Sequence, residues 1–231
     1  MANFQTHFNV AAFTSALGAG TIFYSGLVDK PEATMLFAGG IIGGILPDID
    51  SDNSTPTRIM QYIFANLISF FILFNYIGVV PIGNLILIWI SSFAVTMGFF
   101  HLFNKITSHR GMFHSIPAGL IFWFGFSLLF YYLFHYSALI SWYFGMFVFL
   151  GYITHLTLDE IYSVDLAGGK IKKSFGTALK LWSKDMKSTI LFYSVAIALF
   201  YFMPNKQNFI NSFTKFDIIT TYHKLLRDYN R

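Results

Sequence analysis

Between Arg58 and Lys105 the chain carries no Asp, Glu, Lys or Arg. Two apolar runs fill most of that interval, residues 62–80 and 82–100, parted by Pro81 with Gly78 and Gly83 close by. Each run is near the 20 or so mostly apolar residues that cross a bilayer as a helix. Within hydrocarbon every backbone N–H and C=O needs a partner inside the chain, and a run of this kind supplies them only as an α-helix. A membrane-embedded helical hairpin is therefore expected here, and the rest of the fold has to accommodate it.

Composition extends the conclusion to the whole chain. Of 231 residues, 55% are hydrophobic and only 11% charged, against roughly 25% charged in soluble domains. Aromatic residues reach 20%, with 29 Phe, which suits lipid-facing and interfacial surfaces. The N-terminus has no basic stretch and no small-residue cleavage site after a short apolar core, so no cleavable signal peptide is expected. The absence of Cys excludes disulfides and thiolate-bound metals. A net charge of +4, with the Lys residues in loops beside apolar segments, fits membrane topology and headgroup attraction rather than nucleic-acid binding.

Further apolar segments are read at residues 10–28, 33–46, 116–134, 138–158 and 188–203. The fold expected is all-α, a polytopic membrane bundle of about seven spans. Residues 1–203 form its membrane-embedded domain, and residues 204–231 an amphipathic or soluble C-terminal tail. The segment at 33–46 is short and holds Gly39, Gly40, Gly43 and Gly44, a pattern suited to close helix packing. No internal repeat or low-complexity tract divides the chain.

Four clusters of imidazole and carboxylate interrupt this apolar background: His7, Asp48 with Asp50, His109 with His114, and His155 with Asp159. Counting crossings from the N-terminus places all four on one side. Ionisable groups near hydrocarbon persist mainly where they line a polar cavity, pair with each other or bind metal, so a metal site at one membrane face is expected. That side also holds most Lys and Arg of the short loops, which makes it the cytoplasmic one.

Each cluster has a functional and a plain reading. His155 and Asp159 are four residues apart, so on a helix they share a face and reach one ion or two adjacent ions; they equally fit a helix-end His followed by a solvated Asp. Asp48 and Asp50 would turn the same way if their segment is extended, or they simply cap a membrane helix. Asn53 and Ile59 stand where a calcium-binding EF-hand loop needs Gly and Glu, so that motif is rejected. His109-Arg110-Gly111-Met112-Phe113-His114 precedes an apolar run, at a helix N-terminus that favours an anion such as phosphate. There Arg110 offers a bidentate clamp, or else it faces lipid headgroups. His7 counts only because of its side, while His101, His135 and His223 lack acidic neighbours and are read as structural or interfacial. The seven candidate metal ligands are thus His7, Asp48, Asp50, His109, His114, His155 and Asp159. That exceeds the four positions of one tetrahedral zinc, so two or three divalent ions, zinc foremost, are expected.

Leu46-Pro47-Asp48-Ile49-Asp50, His109-Arg110-Gly111-Met112-Phe113-His114-Ser115 and Gly151-Tyr152-Ile153-Thr154-His155-Leu156-Thr157-Leu158-Asp159, with His7 before them, resemble the motifs of a LexA-regulated family of bacterial inner-membrane metal-dependent hydrolases. The resemblance runs from position 7 to about 185. Two departures stand out: Phe113 replaces the usual Thr, and the stretch from Asp159 to Asp165 replaces one containing Thr-Pro-x-Gly, which leaves Asp165 without an assigned role. The family is distantly similar to zinc phospholipases C and fungal single-strand nucleases with trinuclear zinc sites, and this implies hydrolysis of a phosphate ester.

The expectation is therefore a multi-pass enzyme of the bacterial inner membrane that cleaves a phosphate ester of a lipid or lipid-linked substrate. Asp50 or Asp159 would orient a metal-activated water, and Arg110 with the helix N-terminus at Ser115 would hold the phosphate. The alternatives are a metal or proton transporter using the same residues, and a structural membrane protein with a stabilising metal.

Overall fold

The first helix begins where Asn3 can cap it. The Asn3 side-chain oxygen accepts from the Thr6 amide and the Thr6 hydroxyl, both at 2.8 Å, and α1 (Phe4–Tyr24) follows. Asp29 and Glu32 form a reciprocal capping box around Pro31 and start α2 (Lys30–Ile45), the arrangement that satisfies two orphan amides at once. A 3-10 turn, Leu46–Asp50, continues it. The later elements are α3 (Thr55–Phe74), α4 (Ile82–Ile106), α5 (Ile116–Leu128) with a π-helical last turn (Leu129–Leu133), and α6 (Ala138–Ile161). After these come a two-residue antiparallel ladder of β1 (Val164–Asp165) and β2 (Lys170–Ile171), then α7 (Met186–Tyr201) and α8 (Gln207–Lys215). This computed structural model describes residues 3–50, 55–106, 114–165, 170–171, 176, 179–182 and 185–215.

The described residues fall into two units, one drawn from Met1–Pro47 and Met112–Arg231, the other from Asp48–Gly111. The second unit is the helical hairpin α3–α4. Its helices meet through aromatic contacts such as Phe70 with Trp89, centroids 6.0 Å apart, and Gly78 supplies a positive φ of 79° in the turn. Its outer surface is apolar, with Ile82 and Val95 largely exposed.

The first unit is built around α6, which is apolar on nearly every side and buried along most of its length, as a central helix should be. α2 runs parallel to α6: Gly39 lies against Phe144, Gly43 against Val148 and Gly44 against Gly151. α1 and α5 run the opposite way: Gly18 faces Phe147 while His7 meets His155, and Gly119 faces Tyr152 while Gly145 faces Trp123. α7 packs on α5 and points the same way, ending where the Tyr132 hydroxyl donates to Phe202 O at 3.3 Å. Residues 204–215 fasten to the start of α6. There Trp142 Nε1 donates to Pro204 O at 3.0 Å, Tyr143 and Ser212 share a 2.6 Å hydroxyl bond, and Phe209 stacks on Trp142.

Glycine sets the α2–α6 distance. A Cβ on Gly43 would overlap the Val148 carbonyl, and one on Gly151 would overlap the Gly40 carbonyl, so the two backbones touch as small-residue faces allow. Among the described residues, three helical stretches are long and apolar enough to cross a membrane, Ile82–Leu102, Ile116–Leu133 and Ala138–Ile161, and Gln61–Phe74 and Met186–Tyr201 are shorter apolar helices. α1 carries Thr14, Ser15, Gly18, Gly20 and Thr21, and α2 carries Gly39, Gly40, Gly43 and Gly44, polar and small positions that lower their apolar character.

Two predictions follow from this packing. Gly43→Ala forces the helices apart and destabilises the first unit by about 1–3 kcal/mol, the usual cost of overpacking. Gly20→Ala meets nothing within 4 Å and is neutral or slightly stabilising, because Ala suits a helix interior better than Gly. Thermal unfolding in detergent reads both; equal melting temperatures contradict the glycine contact.

At the start of α7, the Ser188 hydroxyl and then the Lys187 amide donate to Asp185 and hold its carboxyl below the usual carboxylate range. A depressed folded value means that the cap stabilises fully above the unfolded pKa of about 3.9 and is lost as pH falls through the lower folded value. Hydrogen exchange in the first turn of α7, taken relative to the intrinsic rate at each pH, should accelerate over that acidic window in the wild type. In Asp185→Ala it should be fast throughout.

Candidate metal centre

The antiparallel and parallel directions just described bring four of the candidate residues to one end of the first unit. His7 lies in the first turn of α1, His155 and Asp159 in the last turns of α6, and His114 just before α5. All four are buried: His7 2%, His114 2%, His155 0% and Asp159 6% exposed.

His155 is the best fixed. Its Nδ1 lies 2.7 Å from Gly44 O, one of the last-turn carbonyls of α2 that have no partner within their own helix. A carbonyl only accepts, so Nδ1 carries the hydrogen and Nε2 is left as the lone-pair nitrogen. This is the outer-shell bond that commonly orients a metal-ligating imidazole.

The His7 and His155 rings stack with centroids 3.7 Å apart and planes within 11°, and both present Nε2 to Asp159. His7 Nε2 stands 3.3 Å from Asp159 Oδ1, and His155 Nε2 stands 3.8 Å from Asp159 Oδ2. The closer pair is near enough for an ion pair yet lacks hydrogen-bond alignment, and both His7 ring nitrogens and Asp159 Oδ1 are buried without a hydrogen bond. Such groups are costly to bury unsatisfied. Donors bound at about 2.0–2.1 Å around tetrahedral zinc stand roughly 3.3 Å apart, close to the separations seen here. His7, His155 and Asp159 therefore fit a divalent cation, each offering one donor atom within 4.8 Å of the others.

His114 adjoins this triad edge-on, its ring 5.9 Å from that of His155. Asp48 lies in the 3-10 turn after α2 and is half-buried. That turn is helical, so of the two readings the helix-end turn holds and the alternation of an extended segment does not apply; a 3-10 backbone advances one third of a turn per residue. The Asp50 side chain, His109 and Arg110 lie outside the described residues.

The helix N-terminus expected to receive an anion has little to offer. Ser115 caps α5 by position but makes no side-chain cap bond. The Ile116 amide donates to Lys180 O at 3.1 Å, and Pro117 has no N–H. Sequence reasoning did not single out two backbone groups that matter here, the Gly44 carbonyl and the Lys180 carbonyl. The glycine run signalled the first only as close packing; nothing local signalled the second.

His7→Ala, His155→Ala and Asp159→Ala should each lose bound metal, whereas His101→Ala, at an exposed position on α4, should keep it. Elemental analysis of the purified variants decides, and equal metal content in all four contradicts the triad.

No curated protein and no solved structure matches the chain. A family model described as YdjM inner membrane protein does match, over residues 1–208. The chain, with its apolar helices and a buried His/Asp cluster capable of holding a metal ion, belongs to the YdjM inner membrane protein family.

Proposed function

We propose that this membrane protein is a metal-dependent hydrolase that cleaves a phosphate ester of a lipid or lipid-linked substrate. The observation that carries the reading is the buried triad His7, His155 and Asp159, with His155 oriented by Gly44 O. A bound divalent ion would lower the pKa of a water and polarise a phosphoryl oxygen. The chain's own part is to hold that chemistry in place. His7 and His155 keep nitrogen donors aimed at one point, and burial among α1, α2 and α6 limits access of bulk water. Asp159 offers one oxygen as a donor and the other to hold the proton taken from the water.

The wider ligand set belongs to this proposal: Asp48, Asp50, His109 and His114 complete the shells of two or three zinc ions, and Asp50 shares the water-orienting role. Arg110 holds the substrate phosphate through its planar fork. The proposal also includes about seven crossings, with the N-terminus and the site on the cytoplasmic face. The resemblance to LexA-regulated inner-membrane hydrolases, and through them to zinc phospholipases C, supports the phosphate-ester class by analogy. The position of the triad supports an enzyme over a transporter. His7 opens α1 and Asp159 nearly closes α6, whereas transporter sites are typically built at the midplane from broken helices.

The test is hydrolysis of a panel of phospholipids and nucleotide esters by the detergent-purified, zinc-loaded protein. Chelation should abolish turnover and zinc should restore it. Asp159→Asn should lower turnover about 100-fold or more, the range of a lost general base, and Arg110→Lys should lower it while metal is retained. No turnover of any phosphate ester by the fully loaded protein contradicts the proposal.

A further inference from the structure

The segment between α6 and α7 doubles back onto the bundle through two adjacent backbone carbonyls. Lys180 O accepts from the Ile116 amide at 3.1 Å, and Ile116 opens one of the stretches long and apolar enough to cross a membrane. Leu181 O accepts from the Tyr193 hydroxyl at 3.1 Å, and Tyr193 stands roughly two turns along α7. Side chains on a helix lean toward its N-terminus, so Leu181 lies alongside the first turns of α7 rather than beyond its end. The two bonds fix the depth of this short stretch, level with the start of the apolar runs of α5 and α7. It is also the metal end of the bundle, since His114 stands two residues before Ile116. At this depth the chain turns apolar side chains outward: Leu179 is 39%, Leu181 45% and Trp182 66% exposed.

We propose that residues 179–182 form an interfacial anchor that docks on an anionic lipid surface at the end of the bundle that holds His7, His155 and Asp159. An exposed Trp and two exposed Leu within four residues leave apolar surface unburied in water. At the boundary between headgroups and hydrocarbon the same side chains are at home, because an indole finds an apolar bed for its ring and polar partners for its N–H. The start of α7 is apolar outward as well, with Met186 59% and Ile190 61% exposed, so the loop and the helix it feeds present one kind of surface. Charge selects the lipid. Residues 170–187 hold Lys170, Lys172, Lys173, Lys180, Lys184 and Lys187 against Asp185 as the one acidic residue. Apolar and aromatic side chains set among lysines are the composition of segments that bind anionic membranes in the interface plane. A protein partner fits less well, because the exposed side chains lie at the depth where α5 and α7 begin their apolar runs.

The chain has no Cys, so one introduced thiol carries a fluorophore at one chosen position. Leu181→Cys, Trp182→Cys and, as the hydrocarbon reference, Val95→Cys on α4 (Val95 is 73% exposed) are labelled with bimane in the full-length protein. Each is placed in nanodiscs of equal parts phosphatidylcholine and phosphatidylglycerol. Doxyl-labelled lipid should quench the labels at 181 and 182 as it does at 95, and iodide in the buffer should leave all three bright. When phosphatidylglycerol rather than phosphatidylcholine carries the doxyl group, quenching at 182 should be about fivefold or more stronger, the Boltzmann factor for one lysine at an anionic surface. At 95 the two lipids should quench alike. Lys184→Gln combined with Lys187→Gln should bring 182 toward parity while its label stays in lipid. Labels at 181 and 182 that iodide quenches and lipid does not put the loop in water and overturn the inference. Labels that neither quencher reaches place a protein surface there and overturn it as well. So does equal quenching at 182 by the two doxyl lipids in the unsubstituted background. None of these readouts involves ester hydrolysis, so the anchor stands or falls apart from the hydrolase reading.

Discussion

The contact between α2 and α6 determines what the metal end of the bundle can be. Gly43 and Gly151 let the two backbones touch, and this close approach sets the last-turn carbonyl of Gly44 2.7 Å from His155 Nδ1. A carbonyl with no partner in its own helix and an imidazole that needs a fixed tautomer satisfy each other there. With the ring held, its other nitrogen points toward Asp159, and His7 stacks against it from α1. Side chains larger than hydrogen at Gly43 or Gly151 would separate the helices and leave both the carbonyl and the imidazole without this bond. The glycine run therefore links packing to ligand geometry.

Much of this was legible in the sequence because hydrocarbon restricts the options so severely. The charge-free run after Arg58 had to be a helical hairpin, and α3 and α4 form one. Counting crossings put four polar clusters on one side, and of their residues His7, His114, His155 and Asp159 lie at one end of the first unit, because helices that alternate in direction return their ends to the same level. The i,i+4 spacing of His155 and Asp159 likewise gave the shared face directly.

Other features were not legible for physical reasons. The sequence left the segment at Asp48 open between an extended stretch that would align Asp48 with Asp50 and a turn at a helix end; it continues α2 as a 3-10 turn, and carboxylates after a Pro fit either conformation. The α5 N-terminus looked open to an anion, but its first amide is consumed by a carbonyl far away in sequence. Among the described residues three stretches meet the full length and apolarity of a crossing, fewer than the apolar segments counted along the chain. α1 and α2 mix glycine and hydroxyl residues into their faces, and Gly18, Gly40, Gly43 and Gly44 serve helix packing. Within the segment read as an amphipathic or soluble tail, residues 207–215 form α8, but that Trp142 and Tyr143 would receive Pro204 and Ser212 is a long-range pairing that no local pattern reveals.

Two or more histidines and a carboxylate, where the start of α1 meets the last turns of α6, are placed to hold a cation. X-ray absorption at the zinc edge of the loaded, detergent-purified protein reads that shell. Expected is a nitrogen and oxygen shell at about 2.0–2.1 Å, with outer scattering from at least two imidazoles and weakened imidazole scattering in His155→Ala. A shell of oxygen alone, or a spectrum unchanged by that substitution, would contradict it.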